Sequence, residues 1–218
     1  MVVAIDGPAG TGKSSVSQMV ARSAGFFHLN SGKFYRAITW KAQELQCELS
    51  DEESVLAVAR NISIVLEGDA FLLDGHLRDE ELHTPRVDQA VAPVSAFPSV
   101  RQEVNLRLKE IAGTRDLVVE GRDMSTVVFP DAEVKVFLDA DPAERARRRY
   151  EQNGRQGDLE ELEKAIRERD AIDRAKETGR LAQAPDAVYL DTTHLTLRQV
   201  CDRVVAIIYD KTNHGRSN

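Results

Sequence analysis

Short, unbroken apolar runs alternate along this chain with stretches whose apolar residues recur every three or four positions. Residues 2–5 form the first run and lead into a glycine-rich loop, the pattern of a strand buried on both faces of a parallel sheet. Residues 13–24 keep Val16, Met19 and Val20 at helical spacing, and Gly25 supplies a stop. Residues 26–29 predict a second short strand. Residues 32–46 predict a helix with Phe34, Ile38, Ala42 and Leu45 on one face. Further strands are expected at 117–120, 134–138 and 188–190. Helices are expected near 97–112, from Pro142 at a first turn, over 158–177 and over 196–209. The polar tail, 211–218, is expected to fray. This alternation argues for an α/β chain with a central parallel sheet and helices on both faces.

Residues 51–96 break the rhythm. Ser50 is an N-cap candidate for a helix over 52–60, with Glu53 three residues on as capping-box partner. Two apolar runs, 62–66 and 71–73, then flank Glu67-Gly68-Asp69-Ala70, a hairpin signal. A local hairpin in such a chain predicts an inserted subdomain over about 51–96, within one domain of 218 residues.

The strongest chemical signal is Gly7-Pro8-Ala9-Gly10-Thr11-Gly12-Lys13-Ser14, which fits G-x-x-x-x-G-K-[ST] between a buried strand and a helix. The glycines let backbone N–H groups turn inward on an anion, and the helix N-terminus adds its positive end. Lys13 is a point charge for the β- and γ-phosphates, and Ser14 offers an oxygen to Mg²⁺. With Ser15 completing the turn, residues 7–15 are the expected ATP-binding segment. Asp139 closes the apolar run 134–138 and can be read as a magnesium-directed carboxylate or as a turn cap. No Asn-Lys-x-Asp is present, and Val128 stands where the protein-kinase catalytic loop needs Asn.

Composition and charge narrow the partners. The formal charge is −7 and the pI near 5.3, which argues against a nucleic-acid binder. Residues 145–180 are nonetheless net +2, with 11 Lys/Arg against 9 acids, as a locally held small anion would require. Cys47 and Cys201 form no metal-ligand pattern and fit a reducing compartment. No basic leader segment and no apolar run of about 20 residues is visible, so a cytoplasmic chain without a membrane partner is expected. Trp40 and the two cysteines are read as core, and His28, His76, His194 and His214 as structural or exposed. Transfer to a phosphorylated acceptor needs a second anion site. Arg36 and Arg122 sit where parallel sheets place ligands.

Beyond these motifs, nearly the whole chain resembles the bacterial cytidylate kinases, a family of nucleoside monophosphate kinases. The resemblance is carried by Leu29-Asn30-Ser31-Gly32-Lys33-Phe34-Tyr35-Arg36, by Ala96-Phe97-Pro98-Ser99-Val100-Arg101, by Gly121-Arg122-Asp123-Met124-Ser125-Thr126-Val127-Val128-Phe129-Pro130-Asp131-Ala132, and by Glu168-Arg169-Asp170 with Asp173. It implies a three-layer α/β/α P-loop NTPase fold with a monophosphate-binding insertion and a short lid near 148–160. It also implies ATP-dependent phosphorylation of CMP and dCMP by a monomer with Mg²⁺. By position, Ser31, Arg101 and Asp123 would contact the cytosine. Arg36, Arg122 and Arg169 would hold the acceptor phosphate and the transferring group. Arg148 would reach the ATP phosphates, and Asp173 would lie near the acceptor ribose. Four positions depart from the family pattern: Asn30 replaces an Asp, His83 an Arg, and Ala92 a Ser that can bond the sugar, while Lys176 replaces an Arg in contact with the base and lacks its planar fork. The alternatives are another small-molecule P-loop kinase, acting on UMP, AMP or shikimate, and a non-catalytic ATP-binding regulator.

Overall fold

The computed structural model describes residues 1–67, 70–152 and 154–215, without the side chains of 213–215. The chain divides into two compact units: residues 1–29 with 115–218, and residues 30–114. The second is wider than the 51–96 insertion expected from sequence, because the helices before and after it belong to the same unit.

In the first unit the elements are β1 (Val2–Asp6), α1 (Lys13–Ala24) and β2 (Phe27–Asn30), then β6 (Leu117–Gly121), β7 (Val134–Asp139), α6 (Pro142–Gln152), α7 (Leu159–Ala175), β8 (Val188–Asp191) and α8 (Leu197–Gly215). Among the described residues they build a five-stranded sheet ordered β2-β6-β1-β7-β8. β1 pairs in parallel with both β6 and β7, and β7 with β8, so every described strand end beside β1 opens on the same side. One face carries Val3, Ile5, Val118, Val134, Val136, Leu138 and Leu190 against Val16 and Val20 of α1 and Val200, Val204 and Ile208 of α8. Ala4, Val119 and Phe137, on the other face, are buried too. Burial of both faces explains why these strands read as unbroken apolar runs. The helix α8 continues to Gly215 where a frayed tail was expected, and residues 216–218 and the His214 side chain lie outside the described residues.

The second unit holds α2 (Ser31–Glu44), α3 (Glu52–Asn61), β3 (Ile64–Glu67), β4 (Ala70–Leu73), β5 (His76–Leu77), α4 (Pro85–Val94) and α5 (Pro98–Ala112). The hairpin strands β3 and β4 pair antiparallel as expected, although Gly68 and Asp69 between them lie outside the described residues. Phe34 of α2 meets Phe71 of β4 edge to face at 5.4 Å between centroids. The cap of α3 is Asp51, whose carboxylate accepts from the Glu53 and Ser54 N–H groups. Ser50 instead donates to Glu48, so the expected cap was one residue early. The helix α4 was not expected. Thr84 caps it, Pro85 opens it, and Val87, Val91 and Val94 are its buried face. Trp40 is half-buried with the Arg78 guanidinium over its ring at 4.9 Å, and Cys47 is also half-buried, so only Cys201 of these three expected core residues is buried.

Candidate active site

The glycine-rich loop joins β1 to α1. At Gly7 a Cβ would lie 2.0 Å from the Leu138 carbonyl oxygen, so β7 runs past the loop too closely for any side chain there. Helix α1 starts at Lys13 with no side-chain cap and no acid in its first turn, which leaves its leading N–H groups to an anion. Lys13 is buried, and its Nζ donates 2.6 Å to the Pro8 carbonyl, which also accepts from Thr11 Oγ1 at 3.1 Å. Burial lowers the Lys13 pKa well below the usual lysine range, and the Arg122 cation adds to this. Glu120, Asp6 and Asp173 oppose it. An amine under that penalty has much to gain from a phosphate placed beside it.

Ser14 Oγ donates 2.8 Å to Oε2 of Glu120 at the end of β6, and His28 Nε2 lies 3.1 Å from Oε1 of the same carboxylate. A hydroxyl and a buried carboxylate are hard oxygen donors, so this pair fits Mg²⁺. The carboxylate beside Ser14 is therefore Glu120, a strand residue that no sequence motif singles out. Asp139 behaves as a turn cap, accepting from the Ala140 N–H at 2.8 Å. Strand-end position was the available signal, and two strands offered it.

The segment after β6 is shaped by Asp6, a buried acid at the end of β1. Its carboxylate accepts from the Met124 and Ser125 N–H groups at 2.8 and 2.7 Å and from Ser125 Oγ at 2.5 Å. Burial raises its pKa against those hydrogen bonds. The wide turn over Met124–Val128 that it holds follows Arg122 and the buried Asp123. Arg122 Nε donates 3.1 Å to Asp173 Oδ2 on α7. Lys176 Nζ lies 2.9 Å from Oδ1, and Arg169 Nε 3.5 Å from Oδ2. Burial pushes Asp173 up, but the Arg122 guanidinium, Lys176 and Arg169 outweigh it and hold the carboxyl at about 2. Three cations on one carboxylate leave a net positive cluster, and Lys13 feels both Arg122 and Asp173.

Of the expected site residues, Lys13, Arg122, Arg169, Asp173 and Lys176 are thus grouped. Arg148 turns elsewhere: it donates to Glu144 Oε1 at 2.9 Å, to the Thr192 carbonyl at 2.6 Å and to Thr192 Oγ1 at 3.2 Å. It lies in the last turns of α6, and α7 begins at Leu159, so helices take both ends of the 148–160 lid segment. Asn153, within that segment, lies outside the described residues. In the second unit, Ser31 opens α2 and is buried, and Asn30 caps that helix by accepting from the Lys33 N–H at 3.3 Å. Arg36 donates 2.9 Å to the Leu82 carbonyl and pairs with Asp88 at 2.6 Å. Buried Arg101 donates 3.0 Å to the Ser95 carbonyl and lies over the Tyr35 ring at 5.5 Å. His83 has its pKa lowered by burial and then by Arg36 and Lys33.

A phosphate-binding loop on the middle strand of a parallel sheet, with a cationic cluster beside its lysine, defines a P-loop kinase fold. Solved structures share this fold. A gluconokinase from Sinorhizobium meliloti matches with TM-score 0.52 at 14% identity, over 100% of this chain and 97% of that one. A shikimate kinase from Bacteroides thetaiotaomicron matches with TM-score 0.51 at 12% identity, over 96% and 98%. The chain belongs to the cytidylate kinase family, whose model matches residues 3–210. It is 41% identical to a cytidylate kinase of Caldanaerobacter subterraneus over 96% of this chain and 95% of that protein. It is 38% identical to one of Desulfitobacterium hafniense over 98% and 94%.

Proposed function

We propose that the protein transfers the γ-phosphoryl group of MgATP directly to the phosphate of CMP or dCMP, giving CDP or dCDP. The observation that carries this is the cationic cluster of Arg122, Arg169 and Lys176 around Asp173, electrostatically coupled to Lys13 of the phosphate loop. An ATP sensor has no use for a second anion site, whereas two phosphates that repel each other need one.

Lys13 meets the β- and γ-phosphates and neutralises charge as the bond to the leaving oxygen breaks. Arg122 and Arg169 orient the acceptor phosphate in line and share its charge. No general base is needed, because the acceptor phosphate is already ionised near neutral pH. Ser14 with Glu120 would hold Mg²⁺, which would offset the charge of the phosphates. Ser31, Arg101 and Asp123 would read the cytosine, and Arg36 would join the acceptor-phosphate contacts. By the resemblance Arg148 would reach the ATP phosphates, for which it would have to leave its bonds to Glu144 and Thr192. We further expect a cytoplasmic monomer whose partners are small nucleotides.

ADP release in a coupled assay tests the reading. It should depend on CMP, and ADP formed at one rate with and without CMP would overturn it.

A further inference from the structure

Arg145 of α6 is the largest side chain fully buried in the described chain. Its Nε donates 2.9 Å to the Ala140 carbonyl. One terminal nitrogen donates 3.0 Å to the Ala9 carbonyl and 3.1 Å to Asp170 Oδ1, and the other donates 2.5 Å to Asp170 Oδ2. Asp170 on α7 thus grips the guanidinium with both oxygens and aims it. The target, Ala9, lies inside the phosphate loop. Its neighbour Gly10 has φ +79°, and a Cβ there would come 3.3 Å from Arg145 Cβ, so the arginine also packs against the loop backbone.

Burial of such a pair is weak evidence for stability, because apolar residues of similar volume often serve as well or better. The position of the Ala9 bond points to another role. In a trans peptide the N–H opposes the C=O. Drawing the Ala9 carbonyl toward Arg145 therefore turns the Gly10 N–H away from it, fixing one of the amides with which such loops cradle phosphate. We propose that Arg145, aimed by Asp170, is a positioning residue that sets the Ala9–Gly10 peptide for the donor phosphates. This rests on the phosphoryl-transfer reading only in taking ATP as the donor.

Two full-length variants test it: Arg145→Lys, and the apolar double replacement Arg145→Met with Asp170→Leu. Lysine can keep the ion pair but lacks the fork that reaches Asp170 and Ala9 together. Calorimetric titration with MgATP should show the dissociation constant raised roughly tenfold in both, the scale of a lost charged hydrogen bond. KM for CMP should stay within twofold of the parent, and the double variant should keep the parent's urea midpoint. An unchanged MgATP dissociation constant in either folded variant overturns the proposal, and so does failure of both to fold, since Arg145 would then be a structural brace alone. A parent that binds MgATP but makes no CDP would sink the kinase reading instead and leave this titration valid.

Discussion

In the proposed transfer, Lys13 and Arg122 carry the decisive charges. Arg122→Ala should lower kcat at least about 100-fold with the fold intact, the scale of a lost transition-state contact. Near-normal turnover in steady-state assays would remove its assigned role. Asp123→Ala should raise KM for CMP more than KM for ATP, and a change confined to the ATP constant would contradict the base-site assignment. Asp173 also has a signature in acid. Its carboxyl, near 3.8 when unfolded, is held at about 2 in the fold. A depressed folded pKa stabilises above the unfolded value, and that contribution is lost as pH falls through about 2. The shift corresponds to about 2 kcal/mol. Urea unfolding should therefore show the gap between the parent and Asp173→Asn narrowing from pH 4 to pH 2, and a constant gap would refute the coupling. Residue roles within a charge run were the least legible feature. In sequence Arg145, Arg147 and Arg148 look alike, yet one is buried against the loop, one is exposed beside Glu144 and Glu151, and one holds the turn after β8. Only the neighbours of each guanidinium separate them.

At the scale of elements, sheet strands and their helices were readable because double-sided burial writes continuous apolar runs and amphipathic helices write a 3.6-residue period. Misses came where that writing is faint. β5 is two exposed residues, and α4 starts at one proline and carries Pro93 near its end. Asp51 lost to Ser50 as the expected cap because both residue types cap equally well and stand side by side. The loop was legible down to single residues, since contact with β7 dictates Gly7. Gly7→Ala must push β7 away and should cost at least about 3 kcal/mol, the upper end of overpacking, visible as a lowered urea midpoint. An unchanged midpoint would show that the β1–β7 approach is soft.

For the whole molecule, a charge of −7 says little about an anion site assembled from a few local cations. Those cations come from α1, the turn after β6 and α7, three places far apart in sequence that the parallel sheet gathers at one end of its strands. The second unit holds Ser31, Arg36 and Arg101 on its own helices, and carries the departures Asn30, His83 and Ala92. Among the described residues no helix is long and apolar enough to cross a membrane. The most direct test is product formation from γ-labelled ATP with Mg²⁺ and one acceptor at a time: CMP, dCMP, UMP, AMP or shikimate. The account predicts label in CDP and dCDP with the highest kcat/KM for those two acceptors. Label passing preferentially to UMP, AMP or shikimate, or released as phosphate whichever acceptor is present, would contradict it.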